Sequence, residues 1–179
     1  MDTLNLMNRR TLGVALAGAA LAGCAASAEP GMTARQMASS TDPVSLRTTA
    51  VQGGAFLMQT AQLGTTKAQR PDLRRFATFE NSEQQGIVQA MAAVGQAVPP
   101  PPLPAEKAAM LRQLQAANGP EFDRLFVMAQ TQGHQEALSV YNAIIESSGS
   151  TASDKAIAIL ASDRIREHIA FLQTAMQRA

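Results

Sequence analysis

The chain has 179 residues, of which 46% are hydrophobic, 16% charged and 4% aromatic, and its formal net charge is +1. Its mean hydropathy of -0.05 excludes a polytopic membrane protein, and its apolar content excludes a wholly disordered chain. The balanced charge and the absence of tryptophan argue against a nucleic-acid partner. The length allows one domain with an appendage, and the alanine-rich composition predicts that this domain is helical.

The N-terminus has the pattern of an export signal. Arg9 and Arg10 precede an uncharged run over residues 11–23, which is too short to span a bilayer but matches the apolar region of a signal peptide. The run ends in Leu21-Ala22-Gly23-Cys24, which resembles the lipobox of bacterial lipoproteins. The resemblance implies that residues 1–23 are a cleaved signal peptide. It also implies that Cys24, the only cysteine, is lipidated and becomes the first residue of the mature protein.

The leader also predicts where the protein works. Residue 25 is alanine rather than aspartate, which by resemblance to the lipoprotein sorting rule implies an outer-membrane anchor facing the periplasm. Residues 8–12 also resemble a twin-arginine signal, which exports folded proteins, and the ordinary secretory route is the alternative. We expect the mature protein to contact the membrane of the bacterial cell envelope through the lipid on Cys24. The small and polar residues 24–44 are expected to form a flexible tether.

The remaining residues, 45–179, are predicted to form one helical bundle, because apolar residues recur at helical spacing without an alternating strand pattern. Four consecutive prolines at 99–102 predict a stiff, extended crossing. We expect helices over about residues 45–67, 71–96 and 105–117, one from the Gly119-Pro120 break to residue 146, and one over 153–177. They make an all-α fold of the antiparallel four-helix type with an extra short helix. The inward stripe of the second helix is predicted to be Leu73, Phe76, Ala77, Ile87, Met91 and Val94.

Polar side chains fall on the predicted apolar faces when residues are placed about 100° apart around each helix. In the second helix, Glu80 and Gln84 lie within the stripe and Glu83 lies at its edge. His168 and Arg164 share one face of the last helix. The whole inward cluster is Glu80, Glu83, Gln84, His134, Glu136, Arg164 and His168. Because burying such groups unpaired is costly, we expect them to contact one another, water or an ion.

Two interpretations of this cluster stay open. One is a hydrogen-bond and ion-pair network that fixes the register of the helices and needs no cofactor. The other is a pocket for a divalent metal or a small ligand, with His134, His168 and either Glu80 or Glu83 as candidate metal ligands. A di-iron carboxylate centre is not predicted, because neither histidine has a glutamate three residues before it. No catalytic residues are assigned, since no nucleophile or zinc-protease motif occurs.

Short segments along the body carry a family resemblance. They are residues 71–77 ahead of Glu83-Gln84, Phe122-Asp123-Arg124 with His134 ten residues later, and Glu167-His168-Ile169-Ala170. Over about residues 45–178 they are similar to a bacterial exported family, the domain of unknown function 4142 family. The resemblance implies a ferritin-like helical fold and an outer-membrane or periplasmic location, and it supplies no reaction.

The chain departs from the family pattern at two positions. The family tends to have Asp-His at the positions of Glu83-Gln84 and of Gly133-His134, so Gln84 replaces one histidine and Gly133 replaces one aspartate. If the family binds a metal through those groups, the resemblance implies that this chain has lost part of the set.

Two functions are therefore predicted as alternatives. The first is a non-enzymatic envelope lipoprotein, whose tethered bundle binds an unidentified protein partner or has a structural role. The second is a degenerate metal-binding or redox enzyme of ferritin-like fold. The absence of a complete catalytic set favours the first alternative, and the inward glutamate and histidines favour the second.

Overall fold

The computed structural model describes residues 42–178, and this part of the chain has five helices and no strand. The helices are α1 (Pro43–Lys67), α2 (Pro71–Ala93), α3 (Ala105–Ala116), α4 (Gly119–Glu146) and α5 (Ala152–Met176). The predicted all-α bundle is confirmed. The predicted leader, Cys24 and the tether up to residue 41 lie outside the described residues. None of the described helices is both long and apolar enough to cross a membrane.

Local sequence signals set where the helices begin and end. The carboxylate of Asp42 accepts a hydrogen bond from the backbone N–H of Ser45 at 2.8 Å, so α1 begins two residues before the predicted start. Helix α2 ends at Ala93, ahead of Gly95, which has a left-handed φ of 72°. The predicted inward placement of Val94 is therefore wrong: it follows the end of the helix and is 43% exposed.

The four long helices surround one core, and each runs antiparallel to the helices it packs against. Helix α1 packs on α2 and α4, and α5 packs on α4 and α2. Gln130 of α4 contacts Leu57 in the middle of α1, whereas the earlier residue Asp123 contacts Gln69 just after α1, so these two helices run in opposite directions. Helices α2 and α4 consequently run in the same direction. The connection between them, residues 94–118, has to cross the length of the bundle.

Polar contacts hold this crossing connection in place. The Lys67 ammonium donates to the backbone carbonyls of Leu114 and Gln115 near the end of α3. Lys107, which is itself buried, lies with its ammonium 2.8 Å from the carboxylate of Glu136 on α4. Helix α3 therefore packs on α1 and α4.

The core is apolar, and the helices approach closely around it. At Gly133 an added Cβ would lie 2.6 Å from Cδ2 of Leu57, so a side chain there would require the buried Leu57 to shift. The largest fully buried apolar side chains are Phe56, Phe122, Phe126, Leu46, Leu57, Leu73, Leu114, Leu172 and Val127.

Asp123 of α4 fixes the short turn between α1 and α2. Its carboxylate accepts hydrogen bonds from the backbone N–H groups of Gln69 at 2.9 Å and Arg70 at 3.1 Å. Backbone donors at a helix start have no partner within the helix, so a buried acceptor stabilises this start. The contact ties the start of α2, the helix that carries Glu80, to α4.

One ion pair joins the start of α1 to the start of α5. Arg47 donates from Nε and Nη2 to the two carboxylate oxygens of Asp154 at 3.0 and 2.9 Å. Asp154 also forms a capping box with Thr151 at the beginning of α5. Burial acts to raise the pKa of Asp154, but the hydrogen bonds from Arg47 and Thr151 outweigh burial and lower that pKa below its ordinary value.

We expect Asp154→Ala to lower the free energy of unfolding by about 2 kcal/mol near neutral pH, because it removes a bidentate ion pair and a capping acceptor together. Since the folded-state pKa lies below the unfolded value of 3.8, the contribution is present above that value and is lost as the pH falls through the folded-state pKa. Urea unfolding across this pH range measures both effects. Asp163→Ala on the exposed side of α5 is the control, expected to change stability by under about 0.5 kcal/mol. Equal losses in the two variants would contradict this role.

Candidate metal centre

Three polar side chains from three helices meet inside the bundle. Glu80 of α2, His134 of α4 and His168 of α5 are 0%, 1% and 9% exposed. Oε2 of Glu80 lies 3.2 Å from Nε2 of His134 and 3.0 Å from Nδ1 of His168, and these two ring nitrogens lie 3.0 Å apart. Within residues 42–178 this is the one group of histidine and acidic side chains compact enough to hold a metal ion. We refer to these three atoms as the Glu80–His134–His168 triangle.

The apolar faces of the helices carry these residues inward. Leu73, Phe76 and Ala77 precede Glu80 on the buried face of α2. On α5, His168 lies between the buried residues Ile165 and Leu172 at helical spacing. Packing of the surrounding apolar side chains therefore places the polar ones in the core.

Glu80 is ionised in this site. Burial acts to raise the pKa of its carboxyl, but hydrogen bonds from His134 and His168, and the charge of these rings when they are protonated, outweigh burial and lower the pKa to about 2. For Tyr141, which lies in the same part of the core, burial and the charges of Glu80 and Glu83 raise the pKa to about 12. The phenol of Tyr141 therefore keeps its proton, while the carboxylate of Glu80 acts only as an acceptor.

With Glu80 ionised, protons alone leave at least one contact of the triangle unsatisfied. Because the Glu80 carboxylate only accepts, its two contacts require a proton on Nε2 of His134 and another on Nδ1 of His168. Those two protons would then face each other across the 3.0 Å between the ring nitrogens. Removing either proton relieves that clash but leaves a nitrogen lone pair against a carboxylate oxygen. A cation can accept a lone pair from all three atoms at once.

Further contacts orient two of the three side chains. Nδ1 of His134 lies 2.7 Å from the backbone carbonyl oxygen of Gln130, which can only accept, so Nδ1 carries a proton. In the neutral ring, Nε2 is then left with its lone pair toward the triangle. The Gln84 amide donates to Oε1 of Glu80 at 2.9 Å and leaves Oε2 for the histidines. Such outer contacts are typical of metal ligands, whose orientation and tautomer they fix.

Glu83 and Arg164 lie at the edge of the triangle. Oε2 of Glu83 is 3.5 Å from Nε2 of His168, the ring nitrogen outside the triangle, and 3.6 Å from Nε of Arg164. Burial raises the pKa of Glu83, and the charge of His168 acts in the opposite direction. Arg164 also pairs with Glu167 and its side chain is 54% exposed. The expected inward position of Arg164 is wrong, because its long side chain carries the charged group to the surface.

Glu136 lies apart from the triangle, contrary to the sequence prediction. Its carboxylate pairs with Lys107 of α3 and accepts a hydrogen bond from Gln132. It lies on the side of α4 that faces α3. The helical phase of Glu136 was compatible with burial, but the neighbour on that side is a lysine from the crossing connection.

A groove of about 1020 Å³ runs between α2 and α5 and reaches His168. The ring of Phe76 lies 5.0 Å from that of His168 between centroids and stacks on Phe171 at 5.1 Å. Phe79 and Leu160 also line the groove and are 64% and 74% exposed. The triangle is thus nearest to solvent on the side of α5.

The sequence analysis missed Gln130. This residue is fully buried, its backbone carbonyl orients His134, and its amide donates to Oγ1 of Thr60 at 2.7 Å and to the Leu57 carbonyl at 3.2 Å. Its spacing could have indicated this position, because a residue four positions before His134 lies on the same face of the helix. Gln130 therefore links the triangle to α1, which contributes no side chain to it.

Comparison with known proteins identifies a family but no activity. The family model of a domain of unknown function, DUF4142, matches residues 27–175, which include all three members of the triangle. No curated protein and no solved structure matches the chain. The function therefore has to be argued from the site itself.

We expect His168→Ala to lower the free energy of unfolding by about 2–4 kcal/mol in the presence of a chelator, because it leaves a void beside Phe76 and removes a partner of Glu80. His168→Gln fills more of the space and should cost less. Gln173→Ala on the exposed side of α5 is expected to stay within about 0.5 kcal/mol of the parent. Urea unfolding measures all three, and a His168→Ala loss as small as that of the control would contradict the buried position of the ring.

Proposed function

The chain belongs to the DUF4142 family of domains of unknown function, and we propose that it is a metal-binding helical bundle of the bacterial envelope. Its site binds one divalent transition-metal ion through Oε2 of Glu80, Nε2 of His134 and Nδ1 of His168. Two imidazoles and one carboxylate are donors that suit zinc and iron. With three protein ligands, the ion keeps coordination positions for water or another small ligand.

The observation that carries this proposal is the spacing of the triangle. Two ligand atoms that each lie about 2.1 Å from a metal are about 3.0 Å apart at a right angle and about 3.4 Å apart at the tetrahedral angle. The three separations in the triangle, 3.0, 3.0 and 3.2 Å, fall in this range. The same spacing is unfavourable for protons, as argued above. The backbone acceptor on His134 and the amide donor on Glu80 hold two ligand atoms in this arrangement without a metal.

Two further parts of the proposal rest on sequence and connectivity. The lipobox-like segment ending at Cys24 supports a lipid anchor, with the outer membrane as the site of attachment and the bundle in the periplasm. The long connection between α2 and α4 supports a ferritin-like arrangement, because ferritin-like bundles have one long crossover. The groove between α2 and α5, next to the proposed metal centre, is the surface that we assign to a partner protein.

We expect the protein to bind Zn²⁺ with a stoichiometry of one and to unfold at a higher temperature when the metal is bound. At a free metal concentration of 100 times Kd, binding to the folded state alone adds about 2.7 kcal/mol to the free energy of unfolding. Elemental analysis and calorimetric titration measure binding, and thermal unfolding with and without chelator measures the coupling.

Variants of the ligands separate the site from adventitious binding. Glu80→Gln, His134→Ala and His168→Ala should each lose the stoichiometric site and the thermal shift. Glu136→Gln is the matched control, because Glu136 is a carboxylate on α4 outside the triangle, and it should bind Zn²⁺ as the parent does. The metal site is refuted if the parent shows no saturable binding or if the ligand variants bind as well as the parent. The buried polar triangle would then be explained as a hydrogen-bond network.

We expect Cys24→Ala to abolish lipidation and removal of residues 1–23, because the thiol is the acceptor of the lipid in the proposed processing. Membrane fractionation and intact-mass measurement of the exported protein test this. The parent should partition with membranes and carry added acyl mass, and the variant should be unprocessed or soluble. Unchanged partition and mass in the variant would contradict the anchor without bearing on the metal site.

A further inference from the structure

We propose that Glu83 is a positioning residue for the metal ligand His168, and that Arg164 holds the Glu83 carboxylate in place. The inference rests on the proposed metal site and assigns to Glu83 a role different from that of a ligand. Glu83 acts through the imidazole, by accepting the proton of the ring nitrogen that does not face the metal.

The geometry separates Glu83 from the ligand atoms. Its Oε2 contacts Nε2 of His168 at 3.5 Å, whereas Nδ1 of the same ring belongs to the triangle. Glu83 is not part of the compact metal-ligand group, and its side chain is 25% exposed against 1% for Glu80. The two carboxylates are three positions apart on α2 and share one face of the helix. One turn of α2 therefore supplies both a ligand and an outer acceptor.

The chemistry of imidazole explains why an acceptor is needed there. A neutral imidazole carries one proton, and the nitrogen without it offers the lone pair. For Nδ1 of His168 to bind the metal, the proton has to be on Nε2. The carboxylate of Glu83 favours this tautomer by accepting the proton, and its negative charge increases the attraction of the ring for a cation.

The two histidines of the site differ in how they are oriented. His134 donates to the backbone carbonyl of Gln130 deep in the core, so its tautomer follows from the helix itself. His168 faces a carboxylate at the groove, and that carboxylate is reached by Nε of Arg164 at 3.6 Å. Arg164 also contacts Glu167, so it has two carboxylates to hold it over the groove. The orientation of His168 therefore depends on side chains that substitution can remove.

The test is a competition titration of Zn²⁺ against a chromophoric chelator with the full chain. We expect Glu83→Ala to weaken Zn²⁺ binding about 10–100-fold, as loss of an outer contact does in metal sites. Glu83→Gln keeps an uncharged acceptor and should fall between Glu83→Ala and the parent. Asp163→Asn is the matched control: it removes the charge of an exposed carboxylate on α5 that lines the same groove, and its affinity should stay within about twofold of the parent.

Two further readouts distinguish positioning from a general loss of structure. The thermal midpoints of the metal-free Glu83→Gln protein and the metal-free parent should agree. In Zn²⁺-bound parent protein, nitrogen NMR should show the His168 proton on Nε2, with a signal that broadens or shifts in Glu83→Ala.

The outcomes separate this inference from the proposed function. If the parent does not bind Zn²⁺, the metal site and the role of Glu83 both fail. If the parent binds and Glu83→Ala binds equally well, the metal site stands and the role of Glu83 is overturned. If Glu83→Ala and Asp163→Asn weaken binding to the same extent, the effect is one of surface charge, and the positioning role is again overturned.

Discussion

The structure is organised around three buried atoms whose contacts protons cannot satisfy together. Oε2 of Glu80, Nε2 of His134 and Nδ1 of His168 are buried in the core and lie 3.0–3.2 Å from one another. A buried carboxylate is costly unless it is paired, and pairing it with one imidazolium leaves the other ring with its lone pair against an acceptor. A divalent cation removes the conflict, because it replaces competing protons with one acceptor of lone pairs. An ion bound to all three atoms would hold α2, α4 and α5 together at this point.

The remaining polar contacts of the core then have a common physical effect, which is to fix the orientation of those helices. Asp123 holds the start of α2, the helix that carries Glu80, against α4 by accepting from two backbone donors. Gln130 joins α4 to α1 through its amide and orients His134 through its carbonyl. Helix α1 contributes no ligand, but it packs so closely against α4 that a Cβ at position 133 would lie 2.6 Å from Cδ2 of Leu57. An ion in the triangle would be coupled to the packing of the bundle, since moving α2, α4 or α5 changes the separation of the ligand atoms and α1 is joined to α4 by Gln130.

The helices and the three buried polar residues could be predicted from the sequence, because their signals are local. Prolines, glycines and capping residues mark helix ends locally, and a period of about 3.6 residues places Glu80, His134 and His168 on apolar faces. The same reasoning fails where the answer depends on which element lies opposite. Glu136 has a suitable phase but faces Lys107 of the crossing connection, and Arg164 reaches solvent because its side chain is long. The periodicity of the sequence does not determine which nitrogen of an imidazole faces the triangle. That choice follows from acceptors such as the Gln130 carbonyl, which are known only once the helices are assembled.

The two positions at which the resemblance implies a departure from the family, Gln84 and Gly133, supply no ligand atom of the triangle. Gln84 lies beside Glu80 and donates to Oε1, the oxygen that does not face the histidines, so it orients a ligand from outside the triangle. Gly133 precedes His134 by one residue and therefore points about 100° away from it around the helix, against Leu57 of α1. An aspartate at position 133 would meet that leucine before it could reach the centre. The substitutions at these positions therefore change an outer contact and a helix–helix contact, and all three ligand atoms of the proposed site remain. A metal site of this composition requires the glutamate one turn before Gln84 and the two histidines, and the chain has them at the positions where α2, α4 and α5 face one another.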